Sequence, residues 1–298
     1  MKPIRTLAFV TAAFAYALIV LGAVVRVTGS GLGCGDDWPL CNGRLIPQFH
    51  DIETAIEYTH RLAAATIGIP ITVLAALAWL KRREPGVSGP GGPLRPALAA
   101  LALLAVIASL GAVTVKLDLH AGAVVPHLGT ALTLLAVLLV TAYRADAGGR
   151  GRTTAPDRTF RGAVAALALS GVVILLGGLT ATTGAATACQ GFPLCNGQMW
   201  PTGGPAHLHW IHRLLAYALF LHLVAFGLKR AWASPPHIRS ASWLAIGAAT
   251  AQVVVAAAMV LGGLPTEWRA LHAAVGFALW VALVRFAWMA RHPGSPKA

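Results

Sequence analysis

Long runs of apolar residues alternate with short polar segments along the whole chain. Eight runs reach about 20 mostly apolar residues, the length an α-helix needs to cross the hydrocarbon core of a bilayer. The pattern predicts transmembrane helices at about residues 6–28, 57–80, 96–116, 123–143, 161–184, 208–229, 241–262 and 269–290. Lys2 and Arg5 precede the first run, but that run is too long for the apolar part of a signal peptide. We therefore expect an all-α integral membrane protein.

Composition and charge agree with that class. The chain is 57% hydrophobic and 11% charged, whereas soluble domains carry about 25% charged residues. The net charge of +13 could indicate a nucleic acid partner, but the basic residues are unevenly placed. With a cytoplasmic N-terminus, the outer side would hold only these basic residues: Arg26, Arg44, Arg61, Lys116, Arg213 and Arg269. The positive-inside rule then predicts a multi-pass protein of the cytoplasmic membrane with both termini cytoplasmic, and no nucleic acid is needed to explain the charge.

The second half of the chain repeats the first. Residues 38–43 read Trp-Pro-Leu-Cys-Asn-Gly and residues 192–197 read Phe-Pro-Leu-Cys-Asn-Gly. Each is followed by His-Arg-Leu near the start of the next long run, at 60–62 and 212–214. Because each half would start on the cytoplasmic side, we expect two tandem four-helix bundles, residues 1–150 and 151–298, related by a pseudo-twofold axis along the membrane normal.

Four histidines occupy matching places in the two halves. His60 and His127 lie about one turn into the second and fourth predicted helices, and His212 and His272 repeat this in the sixth and eighth. Ionisable residues inside membrane helices are rare and usually functional, and two imidazoles from facing helices can bind a haem iron from both sides. A single such histidine could equally be a helix-packing hydrogen bonder. Their duplication favours haem ligation.

Further polar residues flank these histidines. Arg61 and Arg213 could bind haem propionates in a bidentate manner, or they could only anchor their helices at the interface. Glu57 stands three residues before His60 and so shares its helical face. This carboxylate could transfer protons, or it could simply be a first-turn residue favoured by the helix dipole. Its counterpart is His209, so the two halves differ chemically.

The cysteines lie in two predicted outer loops. Cys34 and Cys41 are in the first outer loop, and Cys189 and Cys195 are in the third. The outer side is oxidising, so a disulfide can form within each loop. The simpler interpretation is two structural disulfides that hold loops over the haem sites, and the alternative is a redox-active pair.

Together these residues resemble the haem A synthase family of the bacterial type, which has cysteines in its outer loops. The resemblance covers essentially the whole chain. It rests on Gly29-Ser30-Gly31, Gly33-Cys34-Gly35, Asp37-Trp38-Pro39-Leu40-Cys41, Glu57-x-x-His60-Arg61, Pro126-His127, Pro193-Leu194-Cys195, His212-Arg213 and Leu271-His272.

The resemblance implies an oxidoreductase that converts the pyrrole-D methyl group of haem O to a formyl group by two successive hydroxylations. The product, haem A, serves cytochrome oxidase. It also implies that His60 and His127 hold the substrate haem in the N-terminal half, with Glu57 as the catalytic residue. A haem b cofactor would then be held by His212 and His272 in the C-terminal half.

The same chemistry implies partners, and one alternative function is its main rival. Haem O, the lipid membrane, an electron acceptor and the haem O synthase (protohaem farnesyltransferase) are the expected partners, and the oligomeric state is open. The rival is a di-haem b membrane electron carrier, such as a quinol-linked cytochrome b, which would use the same histidines without modifying haem. All four histidines lie toward one face and Glu57 occurs in one half only, and both features disfavour the rival.

Overall fold

The computed structural model describes residues 1–149, 157–231 and 234–292, and within them the chain is helical. The long helices are α1 (Lys2–Val27), α2 (Ile52–Leu80), α3 (Leu94–Lys116), α4 (Ala121–Asp146), α5 (Arg158–Thr182), α6 (Gly204–Phe226), α7 (Pro236–Leu261) and α8 (Thr266–Arg291). All eight are long and apolar enough to cross a membrane. A π-helical turn, Gly227–Ala231, continues α6. The described chain forms no β-strand, so the predicted all-α membrane class is confirmed.

The predicted helices are correct in number and order, but the structure begins each one several residues earlier. The largest differences are at α2, which begins at Ile52 instead of residue 57, and α7, which begins at Pro236 instead of residue 241. At α2 the Asp51 side chain caps the helix by accepting a hydrogen bond from Thr54 N at 2.6 Å, which holds the pKa of Asp51 below its ordinary value. Capping turns are polar, so the apolar pattern does not reveal them.

The earlier helix starts change the depth of two candidate ligands along their helices. His60 lies more than two turns into α2, and His212 lies more than two turns into α6, whereas about one turn was predicted. Each turn of an α-helix advances about 5.4 Å. Both imidazoles are therefore deeper along their helices than the apolar runs indicated.

The described helices form two compact units, α1–α4 and α5–α8. Within the first unit, α1 packs on α2 and α4, and α3 packs on the same two helices. Within the second, α5 packs on α6 and α8, and α7 packs on α6 and α8. Each unit is thus a ring of four helices in which chain neighbours are also spatial neighbours and the last helix returns to the first. The pseudo-twofold axis remains a prediction.

Three basic residues assigned to the cytoplasmic side, Arg150, Arg152 and Lys297, lie outside the described residues. The predicted boundary between residues 150 and 151 also lies there.

The apolar core of each unit is concentrated at the end far from the histidines. In the first unit Ile4, Leu74 and Leu138 are fully buried, and they come from the start of α1 and from the later parts of α2 and α4. In the second unit Leu283 and Phe286 are fully buried in the later part of α8. Tight packing at one end leaves the polar side chains gathered at the other.

A loop closed by a disulfide follows the first helix of each unit. Cys34 is bonded to Cys41 and Cys189 to Cys195, as predicted. In both loops the second cysteine is followed by Asn-Gly with positive φ at both residues: 50° and 74° in one loop, 54° and 72° in the other. Isolated β-bridges close these turns. Two consecutive positive φ values define the tight turn for which Asn-Gly is the preferred pair.

The first cysteine loop is docked directly on the start of α2. Thr54 Oγ1 donates a hydrogen bond to the Gly33 carbonyl at 2.7 Å. A Cβ added to Gly33 would lie 2.5 Å from the Glu53 carbonyl carbon and 2.6 Å from Thr54 N. Those are backbone atoms, which cannot move away as the end of a flexible side chain could. Only glycine therefore allows this contact.

We therefore expect Gly33→Ala to push the loop away from α2 and to destabilise the protein by about 1–3 kcal/mol, the usual cost of overpacking. The measurement is thermal unfolding of the purified protein at one fixed scan rate. Gly89→Ala is the matched control, because Gly89 has open space around it. Equal melting temperatures for the two variants would contradict this docking.

Candidate functional site

The first unit brings His60 of α2 and His127 of α4 together. Both side chains are half-buried, and they are close enough to interact electrostatically. The His60 ring lies against Gly22 of α1, where an added Cβ would be 3.1 Å from ring atom Cε1. The His60 Nδ1 atom is buried and has no hydrogen-bond partner among the described residues. Glycine on α1 thus makes room for an imidazole between three helices.

The second unit brings His212 of α6 and His272 of α8 to one cavity. The volume of this cavity is about 90 Å³. All four helices of the unit and Phe192 of the cysteine loop line it. Its walls are mostly apolar, with Arg213 and Gln252 among the few polar groups. This composition suits a large flat ligand with an apolar body.

The His212 ring is fixed by its neighbours. Its Nδ1 atom donates a hydrogen bond to the Val173 carbonyl of α5 at 3.0 Å, so Nε2 keeps its lone pair. A metal-ligating histidine usually has this arrangement, with the second ring nitrogen bound to a carbonyl. The ring also lies against Gly177, where a Cβ would be 3.0 Å from Cε1, just as Gly22 supports His60. Val173, Gly22 and Gly177 belong to none of the sequence motifs that predict a site.

The donor set fits haem iron better than a tetrahedral metal. In the described chain no group of three or more His, Cys, Asp or Glu side chains gathers to hold a metal ion, whereas zinc usually takes three or four protein ligands. The cysteines are bonded to each other. Haem iron needs only two axial ligands from the protein, because the porphyrin supplies the other four.

The arginine after the first histidine of each pair holds the cysteine loop of its own unit. Arg61 Nη1 donates to the carbonyls of Asp37 and Leu40 at 2.6 and 2.7 Å. Arg213 forms the corresponding bonds with three loop carbonyls, those of Gly191 at 2.8 Å, Leu194 at 3.0 Å and Cys189 at 2.7 Å.

These contacts change the predicted role of the two arginines. A guanidinium has five N–H donors, and in each arginine four of them already have protein acceptors. Bidentate binding of a propionate would break loop contacts. Propionate binding stays a prediction, restricted to the one N–H that is left.

The residue four positions before each arginine is its partner on the helix. In the first unit Glu57 Oε1 accepts from Arg61 Nε at 2.9 Å and also from Nη2, while Glu57 Oε2 accepts from Cys34 N at 2.8 Å. In the second unit His209 Nε2 accepts from Arg213 Nε at 3.2 Å. Glu57 and His209 are both buried. The same position therefore completes an ion pair in one unit and leaves a net positive charge in the other.

Two of the remaining histidines, His222 and His120, have ordinary structural contacts. His222 Nε2 bonds to the Gly162 carbonyl at 3.0 Å and its ring stacks on Phe226, in agreement with a packing role. His120 caps α4 by accepting from Gly122 N at 3.1 Å.

Eight helices long and apolar enough to cross a membrane, in two four-helix units that each bring two half-buried histidines together, define a class of multi-pass membrane proteins with a candidate haem site in each unit. The chain matches the family described as cytochrome oxidase assembly protein (COX15-CtaA) over residues 5–284. It is 34% identical to a haem A synthase of Alkalihalophilus pseudofirmus, over 82% of this chain and 82% of that relative. It is 32% identical to a haem A synthase of Halalkalibacterium halodurans, over 89% of this chain and 90% of that relative.

The chain therefore belongs to the haem A synthase family, as its motifs predict, and the electron-carrier alternative is not favoured. It is also 33% identical to a protein of Thermus thermophilus named protohaem IX farnesyltransferase. That match covers 93% of this chain but only 47% of the relative.

We expect Arg213→Lys to loosen the second cysteine loop, because a lysine ammonium cannot reach three loop carbonyls and His209 at once. Each hydrogen bond from a charged group is worth about 1.5–3 kcal/mol, so the loop amides at 189–198 should exchange hydrogen at least about tenfold faster. The measurement is hydrogen exchange by mass spectrometry in lipid nanodiscs. Arg158→Lys, at an exposed position of the same unit, is the control. If the hydrogen exchange of the loop amides is unchanged in Arg213→Lys, Arg213 does not hold the second cysteine loop in place.

Proposed function

We propose that the first unit binds haem O through His60 and His127 and oxidises its pyrrole-D methyl group to the formyl group of haem A. The second unit keeps a haem b between His212 and His272 as a cofactor. The observation that carries this assignment is the chemical difference at one repeated position, where the first unit has Glu57 and the second has His209. Only the first unit has a carboxylate three residues from a ligand histidine.

Several contacts support a resident haem in the second unit. His212 has its Nδ1 held by a carbonyl, and the cavity walls are apolar. Arg213 contacts carbonyls and an imidazole, so its positive charge is not cancelled by a carboxylate there and attracts a propionate. A haem b held there would supply a one-electron carrier.

The proposed reaction on the methyl group uses water as the oxygen source. Each hydroxylation replaces one C–H bond with C–OH and releases two electrons and two protons, so that R–CH3 and water give R–CH2OH. A second round gives the geminal diol, which loses water to form the aldehyde. The electrons pass to an acceptor and the protons need a base. General bases contribute about 10²–10⁴-fold in rate.

Glu57 is the residue we assign to the proton step. Arg61 and Cys34 N occupy three of its lone-pair positions, and an ionised carboxylate has about four. One position on Oε2 is left to accept a proton from an attacking water. The contacts with Arg61 and the loop also fix the direction in which that oxygen points.

The membrane position follows from the eight apolar helices, and we propose that both termini are cytoplasmic. This places the cysteine loops on the oxidising outer side, where their disulfides persist. The histidines then lie toward the outer leaflet.

We also propose that haem O is received from a protohaem farnesyltransferase. Haem O carries a farnesyl chain and is poorly soluble in water, so direct transfer within the membrane avoids exposure of that chain. The relative in Thermus thermophilus supports this, because the part matched by this chain is about half of a polypeptide named for the farnesyltransferase.

Extraction and chromatography of haem from cells that make haem O, with and without this chain, is the direct test. We expect haem A, or the hydroxymethyl intermediate, only in cells with the chain. Unchanged haem O together with purified protein that holds two haem b groups would support the electron-carrier alternative instead.

We expect Glu57→Gln to bind haem normally but to form haem A at least about 100-fold more slowly, because an amide cannot accept the proton. Glu53→Gln is the matched control, since Glu53 is an exposed first-turn residue of the same helix. Hydrogen exchange of the loop at 34–41 should be recorded for both variants, so that loss of the Glu57–loop contact is not mistaken for loss of the base. Full haem A production by Glu57→Gln would overturn the assignment.

A further inference from the structure

Gln252 is a polar residue in the interior of α7 that neither the sequence motifs nor the proposed reaction uses. Its side-chain nitrogen lies 3.1 Å from Nδ1 and 3.3 Å from Nε2 of His272. Its side-chain oxygen is buried and has no hydrogen-bond partner among the described residues. Gly276, one turn after His272, leaves room for the amide, because a Cβ there would lie 3.3 Å from the amide nitrogen. The amide nitrogen is thus within hydrogen-bond distance of both ring nitrogens.

We propose that Gln252 is a positioning residue that holds His272 for haem and makes the haem of the second unit a resident one. This inference rests on the proposed assignment of a haem b to His212 and His272. It adds the reason why that haem stays bound while the haem of the first unit is exchanged.

The first step of the argument concerns the proton on His272. A neutral imidazole that binds iron through one nitrogen carries its proton on the other, and that N–H needs an acceptor in an apolar site. The Gln252 amide faces both ring nitrogens, so whichever nitrogen binds iron, the other is beside the amide. A 180° rotation of the terminal amide exchanges its nitrogen and its unpartnered oxygen, and a turn of the ring about its Cβ–Cγ bond then directs the free N–H at that oxygen. The oxygen then accepts the ring N–H.

The second step is the comparison with the first unit. Gln252 stands 20 residues before His272, and at the same distance before His127 the first unit has Ile107 on α3. The Ile107 backbone carbonyl is close enough to His127 to accept a hydrogen bond from its ring, but the Ile107 side chain offers no polar group to it. The other ligand shows the same contrast, because His212 Nδ1 donates to a carbonyl while His60 Nδ1 has no partner.

The third step is energetic. An acceptor on the second ring nitrogen orients a ligand histidine and makes it more basic, and its removal typically costs about 10–100-fold in metal affinity. In the second unit the Val173 carbonyl accepts from His212, and the rotated Gln252 amide would accept from His272. A haem that must enter as substrate and leave as product benefits from weaker retention, and the first unit lacks the side-chain acceptor.

The test compares four variants of the full-length protein in nanodiscs, each loaded with haem b. The readouts are the rate of haem loss to excess apomyoglobin, the low-spin electron paramagnetic resonance signal and the midpoint potential. Gln252→Ile installs the residue of the first unit, Gln252→Glu keeps an acceptor, Ile107→Gln transfers the amide to the first unit, and His272→Ala removes the ligand.

We expect Gln252→Ile to lose the haem of the second unit about 10–100-fold faster than the parent protein. Gln252→Glu should retain it and lower its midpoint potential, because a carboxylate makes the imidazole more basic and stabilises ferric iron. Ile107→Gln should slow haem loss from the first unit. A side chain that only joined α7 to α8 would not shift the potential.

Two results would overturn the inference in distinguishable ways. In the first result, His272→Ala abolishes the low-spin signal of the second unit, but Gln252→Ile releases haem at the parental rate and with an unchanged midpoint potential. Gln252 then has no positioning role, and the proposed function stands. If His272→Ala leaves that signal unchanged, His272 is not a ligand, and the assignment of the cofactor site is wrong together with the inference.

Discussion

The guanidinium of one arginine in each unit connects the helix that carries a candidate ligand histidine to the cysteine loop next to the candidate site. Arg61 and Arg213 each form several charge-assisted hydrogen bonds with carbonyls of their cysteine loop. Loop carbonyls in an apolar region need donors, and an arginine supplies enough of them from a fixed, planar group. The loop, the helix start and the histidine are therefore positioned by the same side chain, and the disulfide keeps the loop short enough to be held this way.

The two units keep this framework and differ in the groups placed around it. Where Arg61 has a carboxylate partner, Arg213 has an imidazole, so the first site is closer to neutral and contains a proton acceptor, whereas the second keeps a positive charge. Where the second unit places an amide beside its ligand on α8, the first places an aliphatic side chain. Duplication supplies two four-helix units with the same arrangement of histidine, arginine and cysteine loop, and a few substitutions inside helices are enough to give them different chemistry.

The sequence could predict those features that depend on strong local patterns. Apolar runs identified all eight helices, because only helices satisfy the backbone in lipid. The repeated Pro-Leu-Cys-Asn-Gly segments identified the two loops and their disulfides, and repetition selected the four histidines from the others. The helix starts were less accurate, since polar capping residues such as Asp51 belong to the helix but not to the apolar run. The sequence did not predict that Arg61 and Arg213 hold the cysteine loops, because their acceptors are backbone carbonyls, which every residue has and which therefore form no sequence pattern.

By itself the sequence determined the membrane class and the family, and it supplied the duplication and the candidate residues for the chemistry, because composition, periodicity and repetition are properties of the chain. Only the tertiary structure decided which side chains meet. It placed Gly22 and Gly177 under the rings of His60 and His212, gave His212 an acceptor from α5, and set Gln252 of α7 against His272 of α8. These contacts join different helices, and they depend on how the helices pack, which no local pattern specifies.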